Sequence, residues 1–286
     1  MRLQKKYQKK QQGKHQTKKH RGAGVILSII TKILILGFLI SCDFSPRLQK
    51  EILIAQDYLA RQEVQKAIGK YEEILKVDCP DDIKTKIYFQ LGELYSTHLF
   101  DNLKAIKYFR QVIEVTSDPK WLYMSEEKIA EIKFSFLGKY KEAKAGYQKL
   151  IKFQPRLKKH DFYEYRLGLC DTYLMNHDIA KQRFEIISNS ASHEYKVQAF
   201  YELGHIYFKE KQWQKALDYW SQYILQETRK DNIVHTKYLM ANCYETMEQL
   251  EEAYNLYYSI FGDYPNTKVL QNRLNAIYER RVARKR

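Results

Sequence analysis

Residues 138–155 read "GKYKEAKAGYQKLIKFQP". Ala143, Tyr147 and Leu150 stand at i, i+4 and i+7. That spacing puts them on one side of an α-helix, with lysine, glutamate and glutamine around the rest. The alanine recurs as Ala67, Ala105, Ala143, Ala180, Ala216 and Ala253, at steps of 38, 38, 37, 36 and 37 residues. Four residues after each comes a ring: Tyr71, Phe109, Tyr147, Phe184, Trp220 and Tyr257. Self-similarity at a fixed period of this size marks a repeat architecture. With 11 Gly and 5 Pro in 286 residues and no strand-like alternation, the class is all-α.

A second set of positions precedes the first. Ala55, Gly92, Gly168, Gly204 and Ala241 lie twelve residues ahead of the recurring alanine, or thirteen in the second copy. Small residues opposed on two helices let a hairpin close tightly. A ring three residues further on (Tyr58, Tyr95, Tyr207, Tyr244) wedges the next layer. Taken with Gly138, Tyr140 and Pro155, this pattern resembles the tetratricopeptide repeat (TPR) family, a helix–turn–helix unit of about 34 residues. The resemblance implies a right-handed TPR solenoid of about six repeats over residues 48–266, packed through Ala55, Ala67, Gly92, Ala105, Ala143, Gly168, Ala180, Gly204, Ala216, Ala241 and Ala253. "TKVLQNRLNAIYERR", after Pro265, is amphipathic and lacks a partner helix. It suits the capping helix that terminal repeats need, so 267–286 reads as cap and basic tip. Two copies depart from the pattern. The third has Glu131 at the small position with Ala130 beside it, and the fourth has Asp171 at the wedge position.

The N-terminus carries a different message. Residues 1–24 hold nine Lys and Arg and no acid, and 25–41 are apolar apart from Ser28, Thr31, Lys32 and Ser41. A basic n-region before a short apolar h-region is the layout of a signal peptide. The run ends Leu39-Ile40-Ser41-Cys42, which resembles the bacterial lipobox. The resemblance implies cleavage after residue 41, lipidation of Cys42, and a short tether over 42–47. An uncleaved signal anchor is the alternative. Both place the basic end in the cytoplasm and export the remainder, facing the periplasm. Asp43 after the cysteine hints at the inner rather than the outer membrane. The formal charge of +15 is uneven: +10 falls in residues 1–41 and +5 in 280–286, which leaves 42–279 neutral. A neutral body is no nucleic-acid footprint. Cys79, Cys170 and Cys243 are too few and too scattered for a disulfide framework, and the last two fall at equivalent repeat positions, as small buried hydrophobes do.

A lipobox followed almost directly by TPRs resembles the lipoprotein subunit of the β-barrel assembly machinery (BamD) and the lipid-anchored pilotins. "FGDYPNTKVLQNRLNAIYERR" resembles the end of the periplasmic TolA-binding TPR proteins. These resemblances imply a membrane-anchored scaffold that binds other proteins in an envelope assembly complex. The alternatives are a chaperone-like or substrate-binding module for exported peptides or glycans, or a regulatory subunit of a separate enzyme. No catalytic, phosphate-loop or metal-ligand motif stands out, so neither catalysis nor a metal or cofactor is expected. His193-Glu194 has no second histidine in register, and His160-Asp161 and His177-Asp178 read as cap or turn residues. The partner is expected on the inner groove. Three residues before the small position the first helices carry Ile52, Phe89, Lys128, Tyr165, Tyr201 and Tyr238, with Phe162, His205 and Phe208 on or near that face. Rings beyond those needed for packing offer a shelf for a helix or extended peptide. A carboxylate clamp needs lysine and asparagine at set groove positions. Only Lys128 and Asn242 answer, in different repeats, so a chaperone tail is not the expected ligand.

Overall fold

The structure, a computed structural model, describes residues 44–284; Cys42 and the segment before it lie outside the described residues. Thirteen α-helices and no strand occur among the described residues. None of these helices is long and apolar enough to cross a membrane. They are α1 (Phe44–Ala60), α2 (Val64–Ile74), α3 (Asp81–Thr97), α4 (Asn102–Val115), α5 (Pro119–Ser135), α6 (Tyr140–Ile151), α7 (His160–Tyr173), α8 (His177–Asn189), α9 (Lys196–Lys209), α10 (Trp213–Gln226), α11 (Lys230–Thr246), α12 (Leu250–Ser259) and α13 (Thr267–Arg284). The chain forms two compact units that divide between Ile132 and Lys133, within α5. The first unit packs α1 on α2 and α3 on α4. The second packs α6 through α13 in sequence, each helix on the next. This is an all-α TPR fold.

Each helix pair turns on the same device. The residue five before the recurring alanine is left-handed: Gln62, Phe100, Gly138, Met175, Lys211 and Glu248, with φ between 53° and 62°. The next residue's N–H then reaches back to the carbonyl of Tyr58, Tyr95, Lys133, Asp171, Tyr207 or Tyr244, at 2.8 to 2.9 Å. That bond closes the last turn of the first helix, much as in a Schellman motif. It spans six residues in the second and third repeats and five in the others. The longer turn settles the register of the third repeat. Its small residue is Ala130, 1% exposed and thirteen residues before Ala143, and Glu131 is one step beyond it. Lys133 then takes the wedge position and pairs with Glu142 at 2.9 Å.

The small positions do not chiefly face the recurring alanines, as the sequence suggested. A Cβ added to Gly92 would meet Phe109 at 2.7 Å, one on Gly168 would meet Phe184 at 2.6 Å, and one on Gly204 would meet the Trp220 indole closer still. The glycine exists so that a ring can lie flat against the first helix. Those three rings are fully buried, as are the recurring alanines beside them. Cys170 and Cys243 are equally buried, and burial pushes the Cys243 thiol up to about 12.

Asp171 shows what replaces a wedge ring. Its carboxylate is fully buried and accepts from Lys144 of α6 at 2.5 Å, Arg183 of α8 at 2.9 Å and Asn176 at 3.2 Å. Two cations and an amide satisfy the buried charge, as they must. At the C-terminal end, Leu270, Leu274 and Ile277 of α13 bury against Val234, Leu250, Ala253 and Tyr257. The basic tip is not a free patch. Arg280 bonds Glu245 at 3.1 Å and Glu248 at 2.6 Å, Arg281 pairs with Glu251, and Arg284 with Glu248.

Two substitutions test this account. Gly204→Ala forces a methyl group into a buried indole and should cost roughly 2–3 kcal/mol. Phe100→Gly should stabilise by about 0.5–1 kcal/mol, because a bulky residue carries a steric cost in the left-handed region that glycine lacks. The Phe100 ring is 74% exposed, so its loss removes little packing. Chemical denaturation of both variants beside the parent reads both effects.

Candidate functional site

Within residues 133–284 the first helices of successive repeats, α7, α9 and α11, present one connected face. Tyr165 of α7 donates its hydroxyl to Glu202 Oε1 of α9 at 3.0 Å. His205, one turn along α9, lies within electrostatic reach of His235 of α11. The predicted groove residues of this unit gather here, but not as surplus rings. Tyr165 stacks on Tyr195 at 4.9 Å and meets Phe184 at 5.8 Å. Tyr201 lies 5.0 Å from Tyr223 and 4.6 Å from His205, and its carbonyl accepts from the Trp220 indole at 3.2 Å. Tyr238 stacks on Tyr264 at 4.5 Å and touches Tyr257. Phe162 lies beside Tyr147 and Tyr195, and Phe208 between Trp213 and Trp220. Each is half-buried. One edge seals its own repeat and the other faces outward, which corrects the expectation that they lie outside repeat packing.

Asn242 is drawn into the hairpin, where its amide oxygen accepts from the Tyr257 hydroxyl at 2.5 Å. Phe89 and Lys128 belong to the first unit. Phe89 is held between Phe109 and Trp121 at 5.3 and 5.1 Å, and Lys128 is paired to Glu93 at 2.8 Å. With Ala130 as the small residue, Lys128 sits one place out of the register of Phe89, Tyr165, Tyr201 and Tyr238.

The residue that spacing did not single out is Glu202, two places before Gly204. Among the described residues no cation is paired with it, and Tyr165 supplies its hydrogen bond. Burial raises its carboxyl above the usual range, opposed by that hydrogen bond and by Lys209. His205 moves the other way. Burial, then Lys209 and His235, lowers its imidazole to about 4, so it is neutral at pH 7. Burial also raises the Tyr165 and Tyr201 hydroxyls, with the Glu202 carboxylate adding to each. The face thus joins tyrosine edges, a carboxylate with no ion pair among the described residues and a neutral imidazole, rimmed by exposed Lys209, His235 and Tyr173. Such a surface can bind, and nothing in it resembles a nucleophile with its base.

Comparison with known proteins agrees with the fold. Two tetratricopeptide-repeat family models match residues 85–119 and 127–156, and a domain of unknown function (DUF6340) matches residues 202–277. No curated protein sequence matches. Among solved structures, PilW, described as a widely conserved type IV pilus biogenesis factor, superposes with a TM-score of 0.53 at 18% identity, over 79% of this chain and 97% of its own. RapI in its apo form gives 0.52 at 13% identity, over 84% of this chain and all of its own. The Naa15/Naa10 complex bound to HypK-THB gives 0.53 at 14% identity, over 84% of this chain and 35% of that one. These likenesses show the fold, that of tetratricopeptide-repeat proteins.

The opposed shifts on α9 give a pH signature. The lowered His205 value means that the unfolded chain takes up the proton first, so this group's contribution is lost as pH falls from about 6.5 towards 4. Glu202 acts in the opposite sense: its raised value lends stability at low pH that disappears as pH rises through it. His205→Gln isolates the first effect. Between pH 7 and 5 the parent should lose about 1–2 kcal/mol more stability than the variant. Denaturant melts of both proteins at the two pH values measure it.

Proposed function

We propose that this chain is a lipid-anchored scaffold that holds a polypeptide partner against the α7–α9–α11 face in an envelope assembly complex. Glu202 carries the reading. A carboxylate set among half-buried rings, with no ion pair among the described residues, is costly for a structure that has only itself to stabilise. A basic side chain from an extended or helical partner would supply the missing charge, and Tyr165 and Tyr201 would flank it with amphipathic area. Tyrosine-rich faces of this kind suit polypeptides better than small ligands.

The anchor and the export rest on Leu39-Ile40-Ser41-Cys42 at the end of a short apolar run. Helix α1 begins at Phe44, two residues after that cysteine, so the repeats would start close to the bilayer. Asp43 favours the inner membrane. Acyl chains on Cys42 would hold the protein by burying methylenes at about 0.8 kcal/mol each.

Two measurements test the two halves. Intact mass of the membrane-extracted protein should show an acylated chain beginning at Cys42, and Cys42→Ala should leave the unprocessed precursor. An unmodified chain that still carries earlier residues rejects the anchor. For the face, photo-crosslinking residues placed at Tyr173 or Lys209 should capture a partner in cells, while the same probe at Ile186 or Leu225 on second helices should not. Equal capture from Ile186 and Leu225 moves the interface off this face.

A further inference from the structure

His160, Asp161 and Glu164 sit in the first turns of α7, and His193 lies in the loop between α8 and α9. No motif joins these residues in the sequence, yet the fold brings them together. His160, Asp161 and Glu164 each offer a ligand atom, all within 4.8 Å of one another. His160 Nδ1 is 3.4 Å from Glu164 Oε2, and His193 Nε2 is 3.4 Å from the same oxygen. Both nitrogens are buried and make no hydrogen bond. The His193 side chain is only 7% exposed, so its unmet nitrogen faces Glu164 rather than water. Unsatisfied buried polar atoms of this kind need an explanation.

We infer that His160, Asp161 and Glu164 form a binding site for a divalent first-row transition ion, completed by water and held in shape by His193. Metal–ligand bonds of about 2.0–2.1 Å set tetrahedral ligand atoms about 3.3–3.4 Å apart. The His160–Glu164 separation matches that edge and is long for a hydrogen bond. Asp161 has to close in by about 1 Å or a little more, within the reach of side-chain rotation.

His193 supports the site and does not ligate. Its Nδ1 accepts the Tyr195 N–H at 3.1 Å, so in the neutral ring Nε2 carries the proton and is aimed at Glu164 as a donor. Asp161 is braced likewise, by the Glu194 N–H at 3.1 Å and Arg156 at 2.8 Å. Ligating carboxylates are commonly held this way by outer hydrogen bonds. Imidazole with two carboxylates suits Zn²⁺ and its neighbours better than Ca²⁺ or Mg²⁺. A bound ion would pin the α8–α9 loop to the start of α7.

The probe is Zn²⁺ alone, on purified full-length chain without a polyhistidine tag, stripped by chelator and titrated against a competing chromophoric chelator. The expected result is one saturable equivalent, with a melting temperature that rises on loading. His160→Ala and the isosteric Glu164→Gln should each weaken binding by about 100-fold or more, and His193→Ala by roughly 10- to 100-fold. Circular dichroism establishes that each variant is folded. Absence of a saturable equivalent, or an affinity unchanged in folded Glu164→Gln, overturns the site and leaves an ordinary i, i+4 pair at a helix start.

Discussion

In three of the hairpins a buried ring on the second helix lies against a glycine on the first, and the close approach of the two helices follows from that contact. Where the position is glycine the ring presses onto the backbone itself, as Phe109, Phe184 and Trp220 do. The interhelical distance is then set by ring thickness. The reversal that delivers the second helix at that distance needs one left-handed residue, and the back-bond to the first helix fixes where it falls. Five of these six residues are not glycine, so five of the hairpins accept local strain to gain their packing. Strain of that order persists only where tertiary contacts over-determine the turn.

The outward edge of the same packing makes the candidate binding face. A repeat protein has no separate site-building elements, so its binding surface is made of side chains that also seal the layers. Tyr165, Tyr201 and Tyr238 do both. Truncating any of them mixes stability with affinity, and Glu202 stands between them on the same face. Its hydrogen bond to Tyr165 joins the first helices of adjacent repeats, while no ion pair to it occurs among the described residues. A buried carboxyl raised above its usual range is the kind of group that marks a candidate site.

How far the sequence disclosed this depends on the residue. Alanine and ring four apart are read directly, because periodicity reports a buried helix face. The off-by-one at Glu131 is not, since a hairpin of this type closes with a spacing of twelve or thirteen and composition does not choose between them. The left-handed residues are nearly silent: Gln62, Phe100, Met175, Lys211 and Glu248 lack the glycine or asparagine signature of φ > 0. Asp171 announced itself as a departure, but its partners Lys144 and Arg183 lie 27 residues before it and 12 after it. His193 stands 33 residues from His160, in the next repeat, so only the stacking of repeats places both beside Glu164.

Charge at the C-terminal end follows the same logic. The +5 over residues 280–286 allows two readings in the sequence, a solvated helix end or a contact with anionic lipid or an acidic partner, where each free basic residue is worth about 1 kcal/mol. Arg280, Arg281 and Arg284 instead meet Glu245, Glu248 and Glu251 on α11, its turn and α12. Exposed pairs of this kind add little stability one by one, about 0–1 kcal/mol each. Acting together along one helix edge, they set the rotation of α13 so that Leu270, Leu274 and Ile277 face inward. Arginines committed to this clasp present little net field to a membrane or to an acidic partner. Three of the five basic residues of 280–286 thus spend their charge, at least in part, within the repeat array.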